Sequence, residues 1–165
     1  MVKKVLYKEA ARKSIGKGMK TLAEAVSITL GPKGRNVVLG KKFGIPQIVN
    51  DGITIAKEIH LRDTLEHTGV CLIRQAASKT NEVAGDGTTT ATVIAYQLIH
   101  YGLKHVASGA NPIILKRGIT KAARFVATKI NENSRPIETL SQVKSIATIS
   151  SGNDVEVGNF IYKAI

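Results

Sequence analysis

The 165-residue chain contains no tryptophan and a single cysteine, and aromatic residues make up only 4% of it. A lone cysteine excludes an intramolecular disulfide and is typical of a reducing compartment. Because large aromatic side chains are scarce, the core must be built from Ile, Leu, Val and Ala, a mixture that favours helices. Cys71 lies on a helical pattern beside Gln and Ala, so we interpret it as a packed thiol.

The sequence also has no apolar run near the roughly 20 residues that span a bilayer. Its basic start, residues 1–5, lacks the apolar stretch and cleavage site of a secretory signal. Apolar residues make up 43% of the chain, as in ordinary globular domains. We therefore expect a chain that is neither exported nor inserted into a membrane.

Acidic residues are few: 12 stand against 24 basic ones, for a net charge of +12. Such a charge attracts phosphates and nucleic acids. Lysines are spread over nearly every segment, which favours solvated helix faces. A nucleic-acid-binding protein would also need aromatic residues for base stacking, and these are scarce here. This alternative stays open on composition alone.

The spacing of apolar residues predicts a mainly α fold with one small hairpin. We expect an edge strand at residues 2–7, strands at 36–39 and 47–49, and helices at 9–29, 51–59, 64–83, 89–107, 112–130, 140–149 and 154–165. Gly16 and Gly18 interrupt the first helix at a cost of up to about 1 kcal/mol each, so close packing must compensate. The last helical pattern is still in progress at Ile165, so we expect a fragment of a longer protein.

A polar, proline-marked stretch at residues 131–136 predicts a domain boundary. It divides the chain into a first domain, 1–134, and the beginning of a second, 135–165.

The strongest chemical signal is the run from Ala84 to Thr90, AGDGTTT. Glycines permit close approach of the backbone to a ligand, and a helix N-terminus offers amides and a positive dipole end to phosphate. Threonine hydroxyls add donors, and Asp86 is suited to Mg²⁺. No GK[ST] follows, so this is not a Walker A loop. The same residues also fit an ordinary turn and helix cap.

Two weaker signals accompany it. Residues 29–36, TLGPKGRN, form a glycine-punctuated loop with two cations, which suits an anion but also suits any helix-to-strand connection. Asp51 precedes a helix, and a single carboxylate there is usually only a cap. The pairs His60 and His67, and His100 and His105, lack the spacing of a zinc site, so we interpret them as structural.

Together, three segments resemble the GroEL-type (group I) chaperonins: TLGPKGRNVVL at 29–39, NDG at 50–52 and AGDGTTTAT at 84–92. The resemblance covers essentially the whole chain. The residues of its motifs are closest to those of cyanobacterial and plastid chaperonins. It implies that the protein is located in the plastid stroma, or in the cytoplasm if the source is bacterial. It also implies that residues 1–134 are an equatorial-domain-like helical bundle with a small hairpin, and that 135–165 begin the intermediate domain, with the apical domain absent.

The resemblance further implies an ATP site with Mg²⁺ and K⁺. Asp51 would help to polarise the attacking water, and Asp86 would ligate Mg²⁺. Asn50 stands where many members carry a lysine that contributes to the nucleotide and K⁺ site. The remaining implied nucleotide-binding residues are Thr29, Leu30, Gly31, Pro32, Gly87, Thr88, Thr89 and Thr90.

The implied function is ATP-driven protein folding inside a ring of identical subunits, a double heptamer, that works with a lid co-chaperonin on unfolded polypeptides. The strand at 2–7 and the hairpin around Phe43 would join neighbouring subunits. A later catalytic Asp and the polypeptide-binding domain lie beyond this segment in the family. We therefore expect the segment alone to be inactive. An inactive interaction module that uses only its ring-joining surface stays open as an alternative.

Overall fold

The computed structural model describes residues 5–41 and 44–165, which fall into two compact units, Met1–Arg117 and Gly118–Ile165. The described residues form helices α1 (Lys8–Ser27), α2 (Gly52–Glu58), α3 (Thr64–Ala84), α4 (Thr88–Ala107), α5 (Pro112–Asn133), α6 (Leu140–Ser150) and α7 (Val155–Ala164), and strands β1 (Val37–Leu39) and β2 (Gln47–Val49). The mainly α prediction is confirmed, and all seven helices lie within a few residues of their predicted bounds.

The core of the first unit lies where α1, α2 and α3 meet. Its buried side chains come from the predicted stripe of α1 and from the apolar faces of α2 and α3. They are Met19, Leu22, Val26, Ile53, Ile55, Ala56, Val70, Ile73 and Ala77. Side chains of α4, among them Tyr96 and Ile99, pack against this cluster. The core is therefore aliphatic, as the scarcity of aromatic residues predicts.

Glycines bring α1 and α3 into close contact. A methyl group on Gly18 would overlap the backbone of Glu66, and one on Gly69 would overlap the carbonyl of Ile15. Close packing thus compensates for Gly18 inside α1, as predicted. Gly16 differs, because a methyl group there would make only an ordinary contact with Leu103, at 3.7 Å.

The two strands form the predicted antiparallel hairpin, with Val37 opposite Val49 and Leu39 opposite Gln47. The predicted tip residue, Phe43, lies outside the described residues. The predicted edge strand at 2–7 is not formed at residues 5–7, which lie outside any strand, and its other residues are not described. A strand needs a partner for its backbone groups, and the chain by itself offers these residues none in the described structure.

The second unit contains most of α5, from Gly118 onward, followed by α6 and α7. A capping box starts α6: Gln142 N donates to Thr139 Oγ1 at 3.4 Å, and Thr139 N donates to Gln142 Oε1 at 3.1 Å. Gly158 of α7 lies so close to Thr148 of α6 that a methyl group would overlap its hydroxyl. The division between the units falls within α5, and the domain boundary at 134 stays a prediction.

Several predicted apolar positions are exposed in the described chain. Leu72 of α3 is 45% exposed, Ile94 and Leu98 of α4 are 54% and 44% exposed, and α5 has no buried residue. These helices therefore bury only part of their apolar side chains, or none in the case of α5. Within the described residues, no helix combines the length and the apolar character that a membrane crossing requires.

Candidate nucleotide-binding site

The turn between α3 and α4 holds one carboxylate between two glycines with positive φ. Gly85 ends α3 with φ 71°, and its N–H donates to Asn81 O at 3.0 Å. Gly87 precedes α4 with φ 75°. Residues with a side chain rarely adopt this conformation. The turn projects the exposed Asp86, whose Oδ1 accepts the N–H of Gly87 at 2.6 Å.

Helix α4 begins directly after this turn without a side-chain cap, because its N-cap residue is Gly87. The first amides of a helix have no intrahelical carbonyl partner and lie at the positive end of the helix dipole. In α4 these donors are the N–H groups of Thr88, Thr89 and Thr90. Such an uncapped start of a long helix is suited to binding phosphate.

The three threonines differ in exposure, which the sequence motif does not reveal. Thr88 is only 6% exposed, Thr89 is half-buried and Thr90 is exposed. Thr92, which is fully buried, donates from Oγ1 to the carbonyl of Thr88 at 2.8 Å. The side chain of Thr88 therefore faces the protein interior. Its backbone N–H is the group that can contact a ligand.

A second loop, the Thr29 loop, spans residues 28–36 between α1 and β1. Leu30 N donates to Ser27 O at 3.1 Å, and the chain then reverses through Gly31, whose φ is 77°. Gly34 N donates to Gly31 O at 2.9 Å, which closes the turn. Leu30, Gly31 and Pro32 are exposed along its outer side. The loop is thus held by its own backbone hydrogen bonds and leaves its predicted ligand residues at the surface.

A hydroxyl pair joins this loop to the start of α4: Thr29 Oγ1 and Thr89 Oγ1 lie 3.3 Å apart. Thr29 Oγ1 donates its only proton to Val26 O at 2.9 Å. Since a carbonyl can only accept, Thr89 must donate in the hydroxyl pair. The Thr89 oxygen then offers lone pairs rather than a proton to any ligand.

The third segment is the turn from β2 into α2. Asp51 caps α2: its carboxylate accepts from Ile53 N at 3.3 Å, Thr54 N at 3.0 Å and Thr54 Oγ1 at 2.7 Å. This confirms the predicted capping role and fixes the carboxylate to the first turn of α2. Asn50 and Asp51 are both exposed.

Two glycines that are not among the predicted ligand residues set the distances between these segments. Gly52 is buried, and a methyl group on it would overlap Thr89 Oγ1. One on Gly34 would overlap the carbonyl oxygen of Thr29. The structure therefore brings the Thr29 loop, the start of α2 and the start of α4 together. Gly52 directly follows a predicted site residue and Gly34 lies two residues after one, a sequence signal that is too common to be diagnostic.

An apolar groove of the first unit lies elsewhere. A groove of about 500 Å³ between α1 and α4 is lined by apolar residues such as Met19, Ile99 and Leu103, with Arg12 and Lys13 among its charged residues. It contains none of the predicted site residues. The predicted residues Thr29, Asp51 and Thr89 lie instead where the three segments meet.

His60, His67 and Cys71 form a small cluster. The rings of His60 and His67 stack with centroids 5.2 Å apart, and His67 Nε2 lies 3.5 Å from Cys71 Sγ. Cys71 is half-buried, in agreement with a packed thiol. Among the residues that the structure describes, no group of three His, Cys, Asp or Glu side chains is placed to hold a metal ion.

Sequence relatives match the whole chain. It is 67% identical over 165 residues to the chloroplastic chaperonin GroEL of Gracilaria tenuistipitata var. liui and 61% identical to that of Cyanidium caldarium. All of this chain is covered in both comparisons, against 31% of each relative. The chain thus spans about a third of the length of these relatives.

Solved structures show the same fold. A group III chaperonin in the open state matches 94% of this chain with a TM-score of 0.78 at 26% identity, covering 31% of that protein. The chaperonin gp146 from the bacteriophage EL 2 (Pseudomonas aeruginosa) matches 96% with a TM-score of 0.78 at 22% identity, covering 28%. The family model described as the TCP-1/cpn60 chaperonin family matches residues 22–165. The resemblance found in the sequence motifs is confirmed: this chain belongs to the TCP-1/cpn60 chaperonin family.

Proposed function

We propose that this chain is the ATP-binding segment of a plastid chaperonin subunit, and that the phosphates bind where the Thr29 loop, the start of α2 and the start of α4 meet. The observation that carries the proposal is the contact between Thr29 and Thr89, 60 residues apart, at 3.3 Å. It joins the two segments whose motifs independently suit an anion. Asp51 stands beside them through the packing of Gly52.

The residues present fit a magnesium nucleotide. Asp86 is exposed and is held by a turn that allows backbone approach, and carboxylate oxygens are preferred ligands of Mg²⁺. The amides of Thr88, Thr89 and Thr90 and the hydroxyl of Thr90 would bind the phosphate oxygens. Asp51 would orient the attacking water, which is the positioning role that phosphoryl transfer requires.

A potassium ion also fits the donors. Thr89 Oγ1 offers lone pairs because its proton is donated to Thr29, and hard cations take oxygen ligands. Asn50 lies next to Asp51, where many family members carry lysine. We propose that Asn50 serves this site through its main-chain carbonyl, so the loss of the ammonium group leaves the cation site intact.

In the whole protein this segment would belong to a ring of identical subunits that folds non-native polypeptides with ATP and a lid co-chaperonin in the plastid stroma. The relatives named above are chloroplastic chaperonins, which supports this assignment. ATP would act by favouring one subunit conformation over another. We expect the 165-residue segment to bind nucleotide without appreciable turnover or refolding activity.

Thermal unfolding with Mg-ATP tests the proposal. A ligand at 100 times its Kd adds about 2.7 kcal/mol to the free energy of unfolding, so Mg-ATP should raise the unfolding midpoint, and EDTA should reduce the effect. Asp86→Asn should reduce the midpoint shift caused by Mg-ATP, as EDTA does. Asp63→Asn is the matched control, because Asp63 caps α3 in the same unit and Asn is an equally good cap. An unchanged midpoint for the unsubstituted chain would refute the proposal.

A further inference from the structure

We infer that Gly52 is a positioning residue of the proposed nucleotide site: its missing side chain sets how closely the Asp51 carboxylate approaches the start of α4. The inference rests on the proposed function and concerns the glycine of the NDG segment at 50–52, which is not among the predicted ligand residues. It follows from how tightly the first turn of α2 packs against the first turn of α4.

The space around Gly52 is bounded by a side-chain hydroxyl, a backbone nitrogen and a buried hydroxyl. A methyl group on its α-carbon would overlap Thr89 Oγ1 and would lie 3.1 Å from Thr89 N and 3.2 Å from Thr88 Oγ1. Thr89 N belongs to the backbone of α4, and Thr88 is 6% exposed, so its side chain has no room to turn away. A side chain at position 52 must therefore displace either α2 or the Thr89 hydroxyl.

Displacement of α2 would carry Asp51 with it. The carboxylate accepts hydrogen bonds from Ile53 N, Thr54 N and Thr54 Oγ1, all within the first turn of α2. Ile55 and Ala56 of the same helix are completely buried in the core, so α2 moves as a unit or not at all. Displacement of the Thr89 hydroxyl would instead break its contact with Thr29. Either response separates groups that must converge on one ligand.

The test measures Mg-ATP affinity from the ligand-dependent shift of the unfolding midpoint, which corrects for the basal stability of each variant. Gly52→Ala should weaken binding about tenfold, because separating the Thr29 loop from the start of α4 costs about one hydrogen bond to a charged phosphate. Gly69→Ala is the matched control, because its methyl group overlaps the backbone of Ile15, away from the site. Its affinity should equal that of the unsubstituted chain. Equal affinity of Gly52→Ala and the unsubstituted chain would overturn the inference.

A second pair keeps the inference testable if Gly52→Ala does not fold. Thr89→Ala removes the hydroxyl that the new methyl group would overlap, so adding Gly52→Ala to Thr89→Ala should change affinity by less than about twofold. Strong non-additivity of this kind indicates direct contact between two positions. A double variant that binds far more weakly than Thr89→Ala would refute the proposed contact. Absence of any Mg-ATP shift in the unsubstituted chain would instead refute the proposed function itself.

Discussion

At the scale of single residues, the predicted ligands and the residues that position them are of different kinds. The motifs at 29–32 and 86–90 identify groups that can contact phosphate, because their chemistry is visible in the sequence. The contact between Thr29 and Thr89 and the packing of Gly52 depend on how three segments meet. No local pattern encodes that meeting, so the direction of the Thr89 proton could not be predicted.

Replacement of Asp51 tests its place beside the terminal phosphate. Asp51→Asn keeps the helix cap but removes a negative charge, so Mg-ATP affinity should rise relative to Mg-ADP, which lacks the third phosphate. One unit of repulsion at about 4 Å in water is worth about 1 kcal/mol, or roughly fivefold. Calorimetric titration with both nucleotides measures the ratio. Asp63→Asn, an equivalent cap on α3, should leave it unchanged; an equal rise in both variants would contradict the placement.

Lys17 gives a pH-dependent prediction. Its hydrogen bond to Glu66 at 2.6 Å, together with the charge of that carboxylate, raises the pKa of Lys17 above the ordinary 10.5. The ion pair then stabilises the fold fully below pH 10.5, and this contribution is lost as the pH rises through the raised pKa. Unfolding midpoints of the chain and of Lys17→Gln should therefore differ at pH 9 and converge at higher pH. A difference that stays constant to pH 12 would contradict this cause.

At the scale of elements, the positions of the helices could be predicted from the sequence, whereas the solvent exposure of their apolar faces could not. Caps and breakers such as Asp51, Gly85 and Pro112 mark the ends of helices in the sequence. The spacing of apolar residues in α4 and α5 is typical of helix faces that pack in a core. In the described chain, however, Ile94, Phe125 and other apolar side chains of these helices are exposed. Helical spacing of apolar residues predicts an apolar helix face. Whether another part of the protein covers that face depends on tertiary packing, which the spacing does not show.

The capping box of α6 offers an element-scale test. Thr139→Ala removes a side chain that accepts the N–H of Gln142, and loss of such a cap costs about 1 kcal/mol. Hydrogen exchange in residues 140–150 should accelerate about fivefold. Thr128→Ala in α5 is the control: Thr128 lies inside a helix and bonds Arg124 O at 3.1 Å, and alanine favours helices, so exchange there should not accelerate. Equal effects in both would show that the cap contributes nothing.

At the scale of the whole molecule, the net charge of +12 must be separated from specific binding. The charge attracts any polyanion, whereas the proposed site uses amides and a bound cation. Duplex DNA affinity should fall by on the order of 10³ or more between about 50 and 200 mM salt. The midpoint shift caused by Mg-ATP should persist over the same range. If the two responses fall together, general charge attraction explains the binding.

The handedness of the turn at Gly85 and Gly87 has a consequence for chemical synthesis of this chain. Both glycines have φ above 70°, and a methyl group added to either meets nothing within 4 Å. The requirement is therefore one of chirality and not of space. A mirror-image amino acid prefers this backbone conformation by roughly the 1–2 kcal/mol that an ordinary one loses. A synthetic protein with L-alanine in place of Gly87 should melt lower because of this backbone strain, and its D-alanine counterpart should melt above the L-alanine protein.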